Sequence, residues 1–431
     1  MSELSYLEKL LDGVEVEWKT LEDISIKISS GGTPKTGVSE FYDGDIPWLR
    51  TQEVNFCDIW DTEVKITESG VKNSSAKWIP KNCVIVAMYG ATVGKIGINK
   101  IPMTTNQACA NIQLNEEVAH YRYVFHFLCS QYTYIKSLGT GSQTNINAQI
   151  VKNIKIPIPC PENPEKSLAI QSEIVRILDK FSALTAELTA ELNMRKKQYN
   201  YYRDQLLSFD EEQEKPVYLE KLLDGVEVEW RTLGEIAVIY DGTHKTPKYT
   251  ASGVPFVSVQ NIKNLYGTNK YISPEDFKTY KNKPRKHDLF MTRIGDVGTC
   301  AIVEDDRPLA YYVTLALIRI NQQIAVPGFI RYLIESRFGK AELYKRTLIH
   351  AVPMKINLGE IGKVAVPIPC PDNPEKSLAI QSEIVRILDK FDTLTNSITE
   401  GLPREIELRQ KQYEYYRDLL FSFPKPETVS N

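Results

Sequence analysis

The stretch PIPCPENPEKSLAIQSEIVRILDKF covers residues 157–181 and returns over residues 367–391 with one change, Glu162 to Asp372. A second string, YLEKLLDGVEVEW, covers residues 6–18 and is repeated unchanged at residues 218–230. The segments between these near-identical blocks are similar in length but have diverged far in sequence. A repeat of this length predicts two copies of one scaffold in a pseudo-twofold arrangement, each copy presenting a different surface.

The repeated block predicts a turn followed by a long helix. Its prolines stop regular structure, because proline lacks a backbone donor and fixes φ. Downstream of the first turn, apolar residues recur in steps of four and three, which is a heptad seam with one stutter. The seam consists of Ile170, Ile174, Ile177, Phe181, Leu184 and Leu188, and its spacing recurs from Ile380 onward. Gly401 and Pro403 predict a break in the second helix.

Each diverged segment holds about 140 residues rich in Gly, Pro, Asn, Thr and β-branched residues, interrupted by a few stretches with helical periodicity. We therefore predict an α/β (α+β) fold: two globular domains in pseudo-twofold arrangement, separated by a pair of long antiparallel coiled-coil helices. The predicted boundaries are 1–158 for the first domain, 159–215 for a central spacer, 216–368 for the second domain and 369–431 for a C-terminal spacer. The alternative is that each helix packs only on its own domain.

Composition favours a soluble, cytoplasmic protein. The hydrophobic and charged fractions are 42% and 25%, which are ordinary values for a globular chain. The apolar run CVIVAMY, residues 83–89, is too short to span a bilayer, and the acidic N-terminus does not resemble an export signal. Seven cysteines without a CxxC pair predict reduced thiols and no zinc site.

The sequence carries no visible reaction chemistry, so we expect no catalytic residues and no metal in this chain. GATVGK, residues 90–95, has three residues between Gly and Gly-Lys where a phosphate loop has four, and Ile96 follows where Ser or Thr would hold magnesium. A Pro-Pro pair, needed for an Asp/Asn-Pro-Pro-Tyr/Phe methyltransferase motif, is absent, as are GxSxG and HExxH. The glycine-rich turn is better explained as a surface for a partner.

Charge is unevenly distributed along the chain. The formal net charge is −3, but residues 260–293 hold eight Lys or Arg against three acidic residues. This balance favours contact with phosphates, and the alternative is a solvated basic loop.

The diverged segments still share short motifs. GTPKT matches GTHKT, IPWLRTQEV matches VPFVSVQNI, GATVGK matches RIGDVGT, and INAQIVKNIKIPIP matches INLGEIGKVAVPIP. The matched positions are mostly glycine, proline and apolar residues, which determine turns and core. The unmatched positions are polar, aromatic or basic, as expected if each domain recognises a different sequence.

With these motifs, the TTNQACANI segment and the RKKQYNYYRDQLLSF helix with its TAEL repeat, the chain resembles the specificity (S) subunit of Type I restriction–modification enzymes over essentially its whole length. The resemblance implies two target-recognition domains, each reading one half of a bipartite, asymmetric double-stranded DNA site. It also implies a non-catalytic chain that docks two modification subunits and restriction subunits. S-adenosylmethionine, ATP and magnesium are expected in those partners and not here, and no membrane is expected.

Candidate DNA contacts lie on loops that the two copies share and have side chains suited to base edges or phosphates. In the first domain they are Thr33, Lys35, Arg50, Gln52, Tyr89, Thr92, Lys95, Gln107, Gln143 and Asn145. In the second domain they are His244, Lys245, Lys248, Gln260, Asn261, Lys263, Arg293, Asp296 and Lys355. The competing hypothesis is a two-domain coiled-coil adaptor that joins other proteins without touching DNA.

Overall fold

The computed structural model describes Leu10 and residues 13–139, 145–209, 217–223 and 226–424. The chain forms two compact units. The first comprises Met1–Leu188 with Ile406–Asn431, and the second comprises Thr189–Glu405. Each unit contains part of both predicted spacers, 159–215 and 369–431, and the predicted four-part division stays a prediction.

The first unit mixes short helices with three small sheets. Its strands are β1 (Val16–Thr20), β2 (Ser25–Ser30), β3 (Tyr42–Leu49), β4 (Cys57–Ile59), β5 (Lys65–Ile66), β6 (Trp78–Ile79), β7 (Val84–Ala87), β8 (Ile96–Asn99), β9 (Met103–Thr105), β10 (Cys109–Leu114) and β11 (Lys155–Pro159). Its helices are α1 (Glu68–Lys72), α2 (Tyr121–Ser130), α3 (Tyr132–Ser137), α4 (Ala148–Lys152) and the start of α5 (Pro164–Leu206), with 3₁₀ turns at Ser39–Phe41, Thr51–Glu53 and Gly90–Thr92. The sheets have the orders β2-β10-β7-β8-β4, β5-β3-β9-β6 and β1-β11.

The second unit repeats this plan with fewer edge strands. Its strands are β12 (Val228–Thr232), β13 (Ala237–Asp241), β14 (Val254–Val257), β15 (Tyr271–Ile272), β16 (Leu289–Thr292), β17 (Cys300–Ile302), β18 (Ala310–Tyr311), β19 (Leu315–Ile320) and β20 (Ala365–Pro369). Its helices are α6 (Val217–Leu222), α7 (Leu233–Ile236), α8 (Pro274–Lys278), α9 (Pro327–Glu335), α10 (Arg337–Arg346), α11 (Leu358–Ile361), α12 (Pro374–Asn396) and the start of α13 (Gly401–Leu420), with a 3₁₀ turn at Val259–Asn261. The sheets have the orders β13-β19-β16-β17, β15-β14-β18 and β12-β20.

The repeated block folds identically in the two units. β1 pairs with β11 and β12 with β20 in the same antiparallel register, so that Trp18 lies opposite Pro157 and Trp230 opposite Pro367. The side chains of Asn163 and Asn373 then accept the backbone N–H three residues later at 3.0 Å, which caps α5 and α12.

A buried glutamine docks each long helix on its domain. Gln171 is completely buried on α5. Its Oε1 accepts from the His120 backbone at 2.9 Å, and its Nε2 donates to the Val118 carbonyl at 3.0 Å and to the Ser167 hydroxyl at 3.1 Å. Gln381 makes the same three bonds, at the same distances, to the equivalent groups of the second unit. Loss of either glutamine would leave several buried polar groups without a hydrogen-bond partner, which is unfavourable.

The long helices agree with the predicted periodicity and break. α5 is continuous for 43 residues, or about 65 Å. In the second copy, α12 ends at Asn396 and α13 begins at Gly401, whose φ of 78° only glycine adopts easily. The predicted seam is fully buried only toward the ends of α5: Leu184 is 36% exposed, and the residues from 181 to 198 are half-buried or exposed.

Each long helix also enters the unit of the other copy. Tyr416 of α13 stacks on Phe181 with ring centroids 5.2 Å apart, and Tyr202 of α5 stacks on Phe391 at 5.5 Å. The helix ends complete the two main cores: Leu420, Phe421 and Phe423 in the first unit and Leu206, Leu207 and Phe209 in the second. Each helix therefore packs first on its own domain and then within the other unit, so the alternative that each helix packs only on its own domain is wrong.

The prediction of a mixed α/β fold with two repeated domains and a long helix pair is confirmed. Among the described residues, no helix combines the length and apolar character that crossing a membrane requires.

Candidate nucleic-acid interface

In the second domain, three shared loops meet around Asp241, the last residue of β13. Arg293 Nη2 donates to both carboxylate oxygens of Asp241 at 3.0 and 3.2 Å, and Arg293 Nη1 donates to the Ile356 carbonyl at 3.1 Å. His244 Nε2 lies 2.8 Å from the second oxygen of Asp241. This network joins loop 242–248, turn 293–298 and loop 348–356, so three segments far apart in the chain present one surface.

Arg293 is the centre of that network and is not on the surface. Its side chain is only 8% exposed, and its Nη1 and Nη2 groups bond to Ile356 and Asp241. The prediction that Arg293 contacts DNA is not tested by this geometry. The contacts identify a second role, because the guanidinium orients the loops that carry exposed candidates such as His244, which is 71% exposed.

In the first domain, Met88 occupies the position of Arg293. The backbone N–H of Ile146 donates to the Met88 carbonyl at 3.0 Å, as that of Ile356 does to the Arg293 carbonyl. Met88 is buried in the main apolar core. Here the loops are therefore supported by apolar packing, where the second domain uses an ion pair.

The glycine-rich loop of the first domain lies flat against its sheet. The Trp48 indole N–H donates to the Gly32 carbonyl at 2.9 Å, and the Tyr42 hydroxyl donates to the Pro34 carbonyl at 2.7 Å. A Cβ on Gly31 would lie 1.9 Å from the Thr105 carbonyl oxygen, so this approach requires glycine.

Several first-domain candidates are brought together by this packing. The Thr33 hydroxyl bonds to Gln107, which joins the glycine-rich loop to the segment after β9. Thr92 donates to the Thr51 carbonyl at 2.8 Å, and Lys95 Nζ donates to the Asn55 side chain at 2.8 Å. Turn 90–95 therefore lies against loop 50–55.

Arg50 and Gln52 lie on that same loop. Arg50 pairs with Glu63 at 2.8 Å and with Glu53 at 3.3 Å. With its amide oriented so that oxygen faces the guanidinium, Gln52 accepts from both terminal nitrogens of Arg50 at 3.1 Å. The pair presents one connected polar surface next to Thr92.

The other first-domain candidates are less connected. Lys35 and Tyr89 are exposed. Asn145 has a buried Oδ1 without a hydrogen bond among the described groups. Gln143 lies outside the described residues.

The remaining second-domain candidates differ in how much of the side chain is available. The Asn261 side chain accepts from the Ser258 backbone at 3.1 Å, so it supports the turn that carries Gln260. Asp296 accepts from the Thr292 hydroxyl at 3.0 Å. The side chains of Lys245, Lys248, Gln260, Lys263 and Lys355 are exposed.

Sequence reasoning missed an apolar surface on loop 348–354. Val352 is fully exposed, Leu348 is 48% exposed and Met354 is 36% exposed. The Gly295 backbone donates to the Met354 carbonyl at 2.9 Å, which ties this loop to the network around Arg293. The signal was the string LIHAVPM, an apolar run beside the polar candidate Lys355.

Comparison with known proteins agrees with this geometry. Residues 13–195 and 225–408 each match the family described as the Type I restriction modification DNA specificity domain. The chain is 40% identical to the Type I restriction enzyme EcoR124I/EcoR124II specificity subunit of Escherichia coli, with all of both chains covered. It is 37% identical to the EcoprrI specificity subunit of the same organism, with 93% of each covered.

Solved structures show the same fold. The S subunit of a Type I restriction–modification system from M. genitalium superposes with a TM-score of 0.56 at 15% identity, covering 96% of this chain and 98% of that one. A chain from a study of assembly and conformational transition in the type I R-M system gives 0.55 at 16% identity, covering 94% and 97%. With one frame present twice, and each copy matching the same DNA specificity domain, the chain belongs to the specificity subunits of Type I restriction–modification systems.

Proposed function

We propose that this chain is the DNA sequence-recognition subunit of a Type I restriction–modification complex and binds a bipartite, asymmetric site in double-stranded DNA. One observation carries the proposal: the chain holds two copies of the DNA specificity domain whose frames agree and whose exposed loops differ. Two domains that share a backbone frame but differ in their exposed loops suit two half-sites of different sequence. The candidate residues on these loops have the donors and acceptors that base edges and phosphates require.

The chain itself is non-catalytic in this proposal. Methyl transfer to adenine N6 and ATP-dependent cleavage belong to the modification and restriction subunits, which bring S-adenosylmethionine, ATP and magnesium. The complex acts in the cytoplasm, where its DNA substrate lies and where free thiols remain reduced.

Two modification subunits per chain are supported by surfaces that occur twice. Tyr201 and Tyr415 hold equivalent positions on α5 and α13 and are 59% and 57% exposed. Each forms an edge contact with the next tyrosine, with ring centroids 5.4 and 5.3 Å apart. Large exposed aromatic side chains are frequent anchors in protein interfaces. A partner that binds twice needs the same surface twice, whereas DNA half-sites need different ones.

The experiment is single-molecule sequencing of genomic DNA for N6-methyladenine in the host strain, with and without this gene. We expect one bipartite, asymmetric methylated motif that disappears on deletion and returns on complementation. An unchanged set of methylated motifs would contradict the proposal and favour a protein adaptor that does not touch DNA.

A further inference from the structure

The second domain contains an open cleft of about 500 Å³ beside the loop that carries His244. It is lined by residues of loop 242–248 other than His244, by Asp276 and residues 279–282, and by Asp241 and Tyr311. Burial of the Tyr280 side chain raises the pKa of its hydroxyl, although a hydrogen bond with Thr243 opposes the shift. The cleft is thus a defined concavity with a tyrosine held in its wall.

The cleft is rich in positive charge without partners. Lys245, Lys248 and Lys281 line it, and none of the three makes an ion pair with any residue that the structure describes. Two carboxylates also line it. Asp241 is already neutralised by Arg293, which leaves Asp276 against three lysines.

Uncharged donors complete the lining. Thr243, Thr246 and Thr279 supply hydroxyl groups, and Asn282 supplies an amide. Lysines together with hydroxyl and amide donors suit the oxygens of a phosphate group, which accepts hydrogen bonds and carries negative charge.

The first domain does not offer the same arrangement. Trp48 anchors the glycine-rich loop there through its indole N–H. Its counterpart Phe256, which pairs in parallel with β18 as Trp48 does with β9, has no N–H to donate. Phe256 instead makes an edge contact with Tyr249 at 5.8 Å. Loop 242–248 therefore lacks the indole bond of the first domain, although the Thr243 N–H still donates to the Tyr311 carbonyl at 3.2 Å. The cleft lies between this loop and residues 279–282.

The two diverged segments also differ in net charge, and the second is the more positive. Residues 237–364 hold nineteen Lys or Arg against eleven Asp or Glu, a net charge of +8. Residues 25–154 hold twelve against ten, a net charge of +2.

We propose that the cleft bounded by Lys245, Lys248 and Lys281 binds a phosphate of the DNA backbone, and that the second domain supplies most of the phosphate contacts of this chain. The inference rests on the proposed function. It predicts that the two domains contribute differently to DNA affinity. The second domain provides the larger share of the salt-dependent affinity, and the first depends more on contacts to bases.

The test uses the full chain with its modification subunits and a duplex carrying the methylated motif of the host. Binding is measured between 50 and 200 mM salt for wild type and for a Lys245→Ala/Lys248→Ala/Lys281→Ala variant. Each phosphate contact contributes about 0.9 to the slope of log affinity against log salt, so loss of the one phosphate bound in the cleft should lower the slope by about 0.9. A matched control replaces Lys72, Lys77 and Lys81, three exposed first-domain lysines, and should retain the wild-type slope. The variant with arginine at positions 245, 248 and 281 should also retain it, because charge is preserved.

Equal slopes for the two alanine variants would overturn the proposal, while binding by the wild-type complex would leave the proposed function standing. Failure of the wild-type complex to bind any duplex would instead contradict that function. A separate titration with tripolyphosphate in the absence of DNA distinguishes a free-phosphate site. Millimolar or tighter binding that the alanine variant loses, with no change in DNA slope, would assign the cleft to free polyphosphate and overturn its assignment to DNA.

Discussion

Met88 and Arg293 hold the same point of the backbone in the two domains and support the neighbouring loops by opposite means. Met88 packs in the apolar core, whereas Arg293 is buried with Asp241 as its counter-ion. A second pair of equivalent residues with different chemistry lies on α2 and α9. His126 bonds to Asp179 at 2.8 Å in the first unit, and the Tyr332 hydroxyl donates to Asp389 at 2.6 Å in the second. A frame with the same backbone bonds therefore tolerates different side chains behind its loops, and this freedom allows two surfaces to diverge.

The largest expected effect concerns the helix ends that complete each core. Replacing Leu420, Phe421 and Phe423 with alanine should unfold the first unit, because each loss costs about 2–5 kcal/mol and a typical domain is stable by about 5–15 kcal/mol. Hydrogen exchange should show lost protection in β7 and retained protection in β16. The matched variant at Leu206, Leu207 and Phe209 should give the reverse pattern. Equal loss of protection in both strands for either variant would mean that the units do not fold separately.

The second comparison concerns the repeated aspartates. Asp179 accepts from Arg122 at 2.7 Å twice and from His126, so Asp179→Ala leaves three N–H groups without their acceptor. Because Asp179 is partly exposed and Arg122 keeps its pair with Asp58, the cost should be about 2–3 kcal/mol. Asp389→Ala removes the partner of the Tyr332 hydroxyl and should cost about 1–2 kcal/mol. Urea unfolding of the two variants measures the difference. A larger cost at Asp389 would contradict this ranking.

Variants of Arg293 test the role of this residue in the second domain. Arg293→Ala should weaken DNA binding by about 1–3 kcal/mol and relax the sequence read in the second half-site, with the first half-site unchanged. Arg293→Met, which copies the first domain, restores bulk but removes the guanidinium that bonds to Asp241. The methylated motif is the measurement. Undiminished methylation after joint loss of Arg293, Lys245 and Gln260 would remove these residues from the interface.

The repeated tyrosines test the shared surface. Tyr201→Ala and Tyr415→Ala should each weaken one of two modification-subunit sites by about 1–2 kcal/mol, and the double variant should weaken both. Native mass spectrometry of the complex reports the number of bound subunits. Tyr344, which is 66% exposed on α10 but has no repeated counterpart among the matched motifs, provides a control. Full occupancy for the double variant would place the docking surface elsewhere.

The smallest effect is a pH dependence found in the first unit. Burial lowers the pKa of His126, and the hydrogen bond between its ring and Asp179 opposes this shift without cancelling it, so the folded state binds a proton less readily than the unfolded chain. The unfolded chain takes up a proton near the ordinary value of about 6.5, so this contribution is complete above that pH and is lost as the pH falls below it. Thermal unfolding between pH 8 and pH 5 should show a stability loss that His126→Gln reduces. Tyr332 does not titrate in this range, so no matching loss is expected from its position in the second unit.

The sequence predicted much of the fold because repetition provides an internal comparison. The prolines of the repeated turn and the break at Gly401 act through local geometry, and both were confirmed. The heptad spacing correctly predicted the long helices, but its seam is fully buried only toward the ends of α5. Gln171 was not recognised as the docking residue of α5, because its partners are backbone groups about fifty residues away. Likewise, Leu178 is completely buried although the heptad pattern had placed Ile177 on the seam.

By itself, the sequence determined the double scaffold, the two long helices and the family, since these depend on repeated strings, residue periodicity and local turn chemistry. Tertiary structure decided which loops meet and which side chains remain available. Whether Arg293 lies on the surface depends on Asp241 and Ile356, more than fifty residues away in either direction. The cleft likewise forms where loop 242–248 meets residues 279–282, a segment distant from it in the chain. Such contacts join segments that are distant in the chain, and short-range patterns carry no information about them.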